Sequence, residues 1–274
     1  MSVDAVFVQD GDVFQATELA VGPWYQGALH GGAPAALLMH AIEAHPVQDG
    51  LRVARITYEF VRPVPQHDLT VSVEVVRPGR RVTLLDATLR DGDGVEVTRA
   101  RALLVRPSDV GDGAVVPRPF PGPEDGVRSD WEGRHRRMFA TEGMEIRFVK
   151  GQFTEPGEAI AWFRLRHPLI HGRAVQPLER VAAASDFGNG IAAVLDWDAY
   201  MFINPDLTVY VERPPVDDWV ALESRTRVEA GSVGVVESVM WDRRGRIGHA
   251  IQSLLIGPRP PQGPPERPPG PPAT

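Results

Sequence analysis

Residue types able to do chemistry are few in this chain, and several common reaction types are missing from the outset. There is no Cys among the 274 residues, which removes thiol catalysis, disulfides and cysteine-based zinc sites. Ser185 and Ser232 lack the strand–turn–helix context of a nucleophile elbow. The eight His are scattered, and His40 and His45 have no carboxylates at metal-ligand spacing, so no metal is expected. Glycine-rich phosphate loops are absent, and no cofactor is expected. Many Asp, Glu, Asn, Gln and Gly positions remain, and composition and spacing alone do not select among them. Gly31-Gly32 opens an Ala/Leu/Met run, where backbone N–H groups at a helix N-terminus can meet an anion or a carbonyl. Asp186 closes a second Ala-rich run, and Asn204 and Gln252 carry amides that can hold a water by hydrogen bonds. Each also has a plain reading. Asp186 fits an Asx-type turn with Gly188 or Asn189, Asn204-Pro205-Asp206 a turn, and Gln252 a half-exposed strand position. His30 fits a local hydrogen-bonding turn, and Gly31-Gly32 tight helix–sheet packing.

The elements that must position these residues occur twice. Arg62-Pro63 and Arg213-Pro214 end similar strands, a shift of 151 from position 62 to 213. The same shift sets Asp91-Gly92-Asp93-Gly94 on Asp242-Arg243-Arg244-Gly245, and Leu103-Leu104 on Leu254-Leu255. Three features in one register indicate an internal duplication. Leu69–Val75 alternates as a half-buried strand, and Val82–Leu89 and Val95–Val105 follow around a hairpin turn. Trp219–Val228, Val233–Trp241 and Ile247–Ile256 repeat that plan. A buried helix precedes each meander: Gly31–Glu43, with Pro34 in its first turn, and Gln176–Asp186, with Pro177 at its start. Pro34 and Pro177 align at a shift of 143, so the second copy carries about eight extra residues around Gly188–Ile203. The expected class is α+β, two helix-on-antiparallel-sheet modules joined edge to edge. The expected divisions are 1–106, a linker at 107–130, 131–256, and a Pro-rich tail at 257–274 in which half of the residues are Pro.

With its motifs in this order, the chain resembles the double hotdog acyl-CoA thioesterases, specifically the acyl-CoA thioesterase II family, from about Phe14 to Ile256. The likeness rests on His30-Gly31-Gly32, Phe60-Val61-Arg62-Pro63, Ala184-Ser185-Asp186-Phe187, Arg213-Pro214 and Gln252. It implies a double hotdog fold, an acyl-CoA substrate, and thioester hydrolysis by an oriented water. It implies a catalytic Asp at Asp186, a catalytic Gln at Gln252, and a Thr or Ser at the position that Asn204 fills here, which departs from the family pattern. Gly31 and Gly32, with His30 beside them, are then the donors that bind the thioester carbonyl. Only one of two pseudo-equivalent sites keeps the polar set. The shifts place Glu43, Val53 and Arg101 opposite Asp186, Asn204 and Gln252, so the second site is expected to be closed, with Arg101 paired to Glu43.

The net charge of −7 argues against a nucleic-acid partner. No apolar run approaches the roughly 20 residues that a membrane helix needs, and the N-terminus lacks a secretory signal, so a cytoplasmic protein without a membrane partner is expected. Further association into a homo-oligomer is left open by the sequence. Two other functions compete: a non-catalytic acyl-CoA or acyl-chain binder, and an enoyl-CoA hydratase or dehydratase. The latter needs an Asp–His loop pair that follows neither helix here.

Overall fold

The structure, a computed structural model, describes residues 4–46, 50–109, 118–131, 137–231 and 233–259. Ser232 and most of the Pro-rich tail, residues 260–274, lie outside the described residues, as do 110–117 of the central Pro/Gly-rich stretch.

The first module begins with the hairpin β1 (Phe7–Asp10) and β2 (Val13–Ala16), followed by helix α1 (Gly32–Ala44). Strands β3 (Arg52–Phe60), β4 (Asp68–Arg77), β5 (Val82–Asp91) and β6 (Glu96–Val105) complete it. After β7 (Val127–Arg128), the second module repeats the plan. It has the hairpin β8 (Met144–Gln152) and β9 (Glu155–Leu165), then α2 (Pro177–Ser185), a short α3 (Gly188–Ile191) and β10 (Tyr200–Ile203). It ends with β11 (Asp206–Val211), β12 (Val220–Val228), β13 (Gly234–Asp242) and β14 (Gly245–Pro258). The strand order is β1-β2-β4-β5-β6-β3-β11-β14-β13-β12-β9-β8-β7, with β10 added on β14. Every pairing between strands is antiparallel, and the order reads the same outward from the β3–β11 junction. Thr57 and Thr208 face each other across that junction, their hydroxyls 3.1 Å apart, and mark the pseudo-twofold axis. The continuous junction hides the β3 and β11 edges that two separate modules would expose.

Alternation writes the core. In β5, Leu85, Ala87 and Leu89 are buried while their neighbours are not, and Ala100, Ala102 and Leu104 do the same in β6. The inward faces close on α1, which is buried from Gly32 to Met39 and again at Ile42. Helix α2 starts at Pro177, its N-terminus closed by a capping box in which the Gln176 N–H donates to Glu179 Oε2 at 2.8 Å. The two helices cross where small residues permit it: a Cβ on Gly32 would stand 2.5 Å from the Ala183 carbonyl oxygen.

Two expectations about the duplication need correction. The turn between β5 and β6 spans Asp91–Val95, whereas Asp242–Gly245 closes β13 onto β14, one residue fewer. The shift is therefore 151 before that turn and 150 after it: Thr57 pairs with Thr208, while buried Ala100, Ala102 and Leu104 match buried Ala250, Gln252 and Leu254. Ala102, not Arg101, stands opposite Gln252. A slip of one residue turns every side chain to the other face. Arg101 accordingly lies on the outer face, where it forms a two-pronged ion pair with Asp86 at 2.7 and 2.6 Å and has no contact with Glu43.

The segment from Arg118 onward is built into the second module. Phe120 stacks on Trp241 with ring centres 4.4 Å apart, the Trp162 indole donates to the Pro121 carbonyl, and β7 extends the sheet beside β8. At the other end β14 continues through Gly257 and Pro258, which pair with Met201 and Tyr200 of β10.

Candidate active site

The pseudo-twofold arrangement carries the N-terminus of α1 to the C-terminus of α2. Asp186 is the residue at which α2 ends, and it is buried. Gly31 immediately precedes α1, and a Cβ there would lie 2.7 Å from Asp186 Oδ2 and 2.9 Å from Oδ1. Only glycine allows backbone and carboxylate to come this close.

Four groups converge on that carboxylate. Asn204, one residue before Pro205 and β11, donates from Nδ2 to Oδ1 at 2.8 Å and to the Asp206 carbonyl at 3.2 Å. Gln252 reaches Oδ1 from β14 at 3.4 Å through Nε2 and is buried behind Asp186. His30 Nδ1 lies 3.2 Å from Oδ2. The Gly32 N–H points at His30 Nδ1 at 3.1 Å and also helps hold the Asp186 carboxylate. Two acceptor atoms at 3.2 Å require one shared proton, carried either by the carboxyl or by the imidazole. The electrostatics favour the carboxyl. Burial, opposed by the Asn204 and Gly32 hydrogen bonds, pushes Asp186 up to about 7. Burial pushes His30 down to about 3, which fits an imidazole stacked on Phe187 at 4.3 Å with Phe139 at 5.2 Å. His30 is thus neutral at ordinary pH.

All six sequence-selected residues come together, but not on equal terms. Gly31, His30, Asp186 and Asn204 line an open cavity of about 380 Å³. Gln252 and Gly32 stand behind it: Gln252 touches Asp186 and not the cavity, and the Gly32 amide is consumed by the His30–Asp186 pair. The Gly31 N–H has no protein partner among the described residues and is the amide left for a ligand. Asn189, which the sequence suggested only as a turn partner of Asp186, also lines the cavity and donates to the Phe202 carbonyl at 3.2 Å. Trp24, Tyr25 and Leu255 form apolar wall, and exposed Arg62 stands at the rim. These wall residues had no signature in sequence because they come from three distant segments.

The pseudo-equivalent position is an open cavity of about 490 Å³ beside Glu43 and Val53, not the closed one expected. It lacks the chemistry nonetheless. Val53 stands for Asn204 and Ala102 for Gln252, and the first free amide of α2 is taken by Glu179. Among the described residues, no group of three His, Asp or Glu could hold a metal ion.

Comparison with known proteins agrees with this architecture. Residues 20–105 match the model of the acyl-CoA thioesterase N-terminal domain, and residues 113–256 that of the acyl-CoA thioesterase C-terminal domain. Among solved structures, the fold is similar to acyl-CoA thioesterase II TesB2 from Mycobacterium marinum (TM-score 0.65, 16% identity, 96% of each chain covered). It is also similar to a conserved hot dog protein of unknown function from Alicyclobacillus acidocaldarius (TM-score 0.71, 19% identity, 94% of this chain and 97% of that one). No curated protein matches in sequence. With both domain models matched in order along one double hotdog chain, the protein belongs to the acyl-CoA thioesterase family and hydrolyses acyl-CoA thioesters.

Proposed function

We propose that hydrolysis takes place at the Gly31–Asp186 junction by direct attack of water. The observation that carries this reading is the meeting of an unpartnered amide and a buried carboxylate across one cavity, one from each module. The thioester carbonyl oxygen accepts from the Gly31 N–H at the start of α1, where the helix dipole favours developing negative charge. Ionised Asp186 holds a water and takes its proton as the oxygen attacks the carbonyl carbon. When the tetrahedral intermediate collapses, the C–S bond breaks. The proton passes from Asp186 to the departing CoA sulfur, giving free acid and CoA and regenerating the carboxylate.

The supporting residues act on Asp186. Asn204 does part of what a hydroxyl would do: its Nδ2 donates to Oδ1 and stabilises the ionised form. Gln252 and Gly32 fix the carboxylate from behind. Neutral His30, 3.2 Å from Oδ2, orients the carboxyl and is a positioning residue. Arg62, exposed at the rim and without an ion-pair partner among the described residues, is suited to the phosphates of CoA. An acyl-CoA substrate supports a place in fatty-acid metabolism.

The test is a panel of acyl-CoAs incubated with the protein and a free-thiol reagent. Thiol release by the parent, reduced by about 10²-fold in Asp186→Asn, is the expected result. Parent-rate release by that variant would remove Asp186 from the mechanism. A mere binder would release none, and a hydratase would change an enoyl-CoA without releasing thiol.

A further inference from the structure

The second module carries a segment that the first lacks, between the end of α2 and β11. It folds as α3, a loop bearing Trp197, and β10. Val194 and Tyr200 are exposed, but its two largest inward side chains, Trp197 and Phe202, gather at one end of the candidate site. Trp197 stacks on Trp24 with ring centres 4.9 Å apart, and buried Phe202 meets both indoles edge-on at 4.7 and 5.0 Å. Trp131 adds a further edge contact to Trp197 at 5.2 Å and stacks on Phe153 at 4.4 Å. The Trp197 indole is fixed by donation to the Phe153 carbonyl at 3.0 Å.

The two ends of the site therefore differ. Toward Arg62 the cavity is open and has a cation at its rim. Past His30 only about 20 Å³ remains, walled by Trp24, Trp131, Phe153, Phe187 and Trp197. That is room for roughly one water-sized group. A thioester whose carbonyl sits on Gly31 must send its polar CoA arm one way and its acyl chain the other. The charged, open end suits the CoA arm. The aromatic end suits an apolar chain, and it is almost filled. The pseudo-equivalent cavity is the internal control: it lacks the inserted segment, has no aromatic residue in its lining, and is the larger at about 490 Å³.

We propose that segment 188–203 sets acyl-chain length: Trp197 and Phe202, packed on Trp24, close the site beyond His30 and restrict the enzyme to short acyl groups. This rests on the hydrolytic reading above. Specificity arises because each methylene that finds no room must displace a packed indole, and misfit of a single methylene can cost tenfold or more in rate.

The test compares kcat/KM for acetyl-, butanoyl-, hexanoyl-, dodecanoyl- and hexadecanoyl-CoA in the parent, Trp197→Ala, Trp24→Ala and the milder Trp197→Leu. The parent should favour butanoyl- over dodecanoyl-CoA by about tenfold or more. Trp197→Ala and Trp24→Ala should bring that ratio toward one or reverse it, with Trp197→Leu between. A parent that prefers dodecanoyl-CoA overturns the proposal, because the chain would then leave along exposed Val61 and Leu255. An unchanged ratio in folded variants overturns it as well. Failure of the parent on every chain length would instead remove the hydrolytic reading, and this proposal with it. The parent profile stands even if an alanine variant does not fold.

Discussion

The backbone of Gly31 and the carboxylate of Asp186 lie so close that a single methyl group would stand between them, 2.7 Å from Oδ2. Gly31→Ala places its Cβ there, and the carboxylate must swing away from Asn204 and His30. Hydrolysis should fall by about 10²-fold or more. Because Gly31 precedes the helix proper in a right-handed helical conformation that alanine also adopts, secondary structure should be retained. Far-UV circular dichroism alongside thiol release checks both statements. A parent-like rate would mean that Asp186 does not have to sit where it does.

The pH dependence of activity and that of stability should oppose each other. Burial raises Asp186 from 3.8 to about 7, so between those values the folded protein holds a proton that the unfolded chain has released. The stability linked to this group is fully present below about 3.8, falls progressively as pH rises, and is lost once pH passes about 7. Activity needs the carboxylate, so kcat should climb with unit slope through the same region. Asp186→Asn should therefore be nearly inactive yet melt above the parent at pH 8. A melting-temperature advantage of the variant that grows as pH rises from about 4 to about 7 and then levels off would show the trade directly. A difference that does not change with pH would refute it.

Asn204 tests the departure from the family pattern. Its Nδ2 hydrogen bond to Oδ1 favours the ionised form of Asp186. Removing it in Asn204→Ala should move the acid limb of the kcat profile to higher pH and leave much of the rate intact once the carboxylate is ionised. Asn204→Thr restores a hydroxyl that can donate to Oδ1 and should move the limb back. A variant whose loss is the same at every pH would show that Asn204 holds the water itself.

The second cavity should be catalytically silent although it is open. Glu43 stands where Asp186 stands in the active half, but its facing amide is occupied by Glu179 and its Asn204 counterpart is Val53. Glu43→Gln should hydrolyse acyl-CoA at the parent rate. A loss comparable to that of Asp186→Asn in a folded Glu43→Gln protein would establish a second working site.

How much of this was legible in sequence depended on the kind of signal. Period-two strands such as Leu69–Val75 and the Pro-marked helix starts are local, and the structure has them within a residue or two. The β8–β9 hairpin escaped notice because Ala159–Phe163 is a continuous apolar run, which periodicity alone does not assign to strand or helix. The single-residue difference between the two hairpin turns is invisible in the motif alignment, and it alone decides whether Arg101 or Ala102 faces inward. Asp186, Asn204 and Gln252 are legible only through the resemblance to the family's pattern, which their order along the chain matches. The division of labour between Gly31 and Gly32 was not legible, since it depends on which amide His30 accepts from. The Trp24–Trp197–Phe202 cluster joins residues far apart in sequence, and composition holds no trace of that.

The last prediction concerns where the second module ends. The Pro-rich composition suggested a tail from Gly257, yet Gly257 and Pro258 pair with β10. Arg259 then returns to the aromatic cluster: its N–H donates to the Ala199 carbonyl at 3.0 Å, its guanidinium donates to the Trp197 carbonyl at 2.5 Å, and it lies over Trp24 at 5.7 Å. Three residues thus clamp the inserted segment from outside, through backbone pairing and a cation–π contact. A chain ending at Arg259 should keep the parent melting temperature and acyl-length profile. One ending at Ile256 removes the Tyr200 and Met201 pairings of β10 and the Arg259 contacts to the Trp197 loop. It should melt lower and lose discrimination between butanoyl- and dodecanoyl-CoA, while Asp186, Asn204 and Gln252 stay in place and short-chain turnover persists. Thermal melting and the two-substrate ratio on the truncation pair decide this. Identical behaviour of the two chains would show that the clamp contributes nothing to the wall.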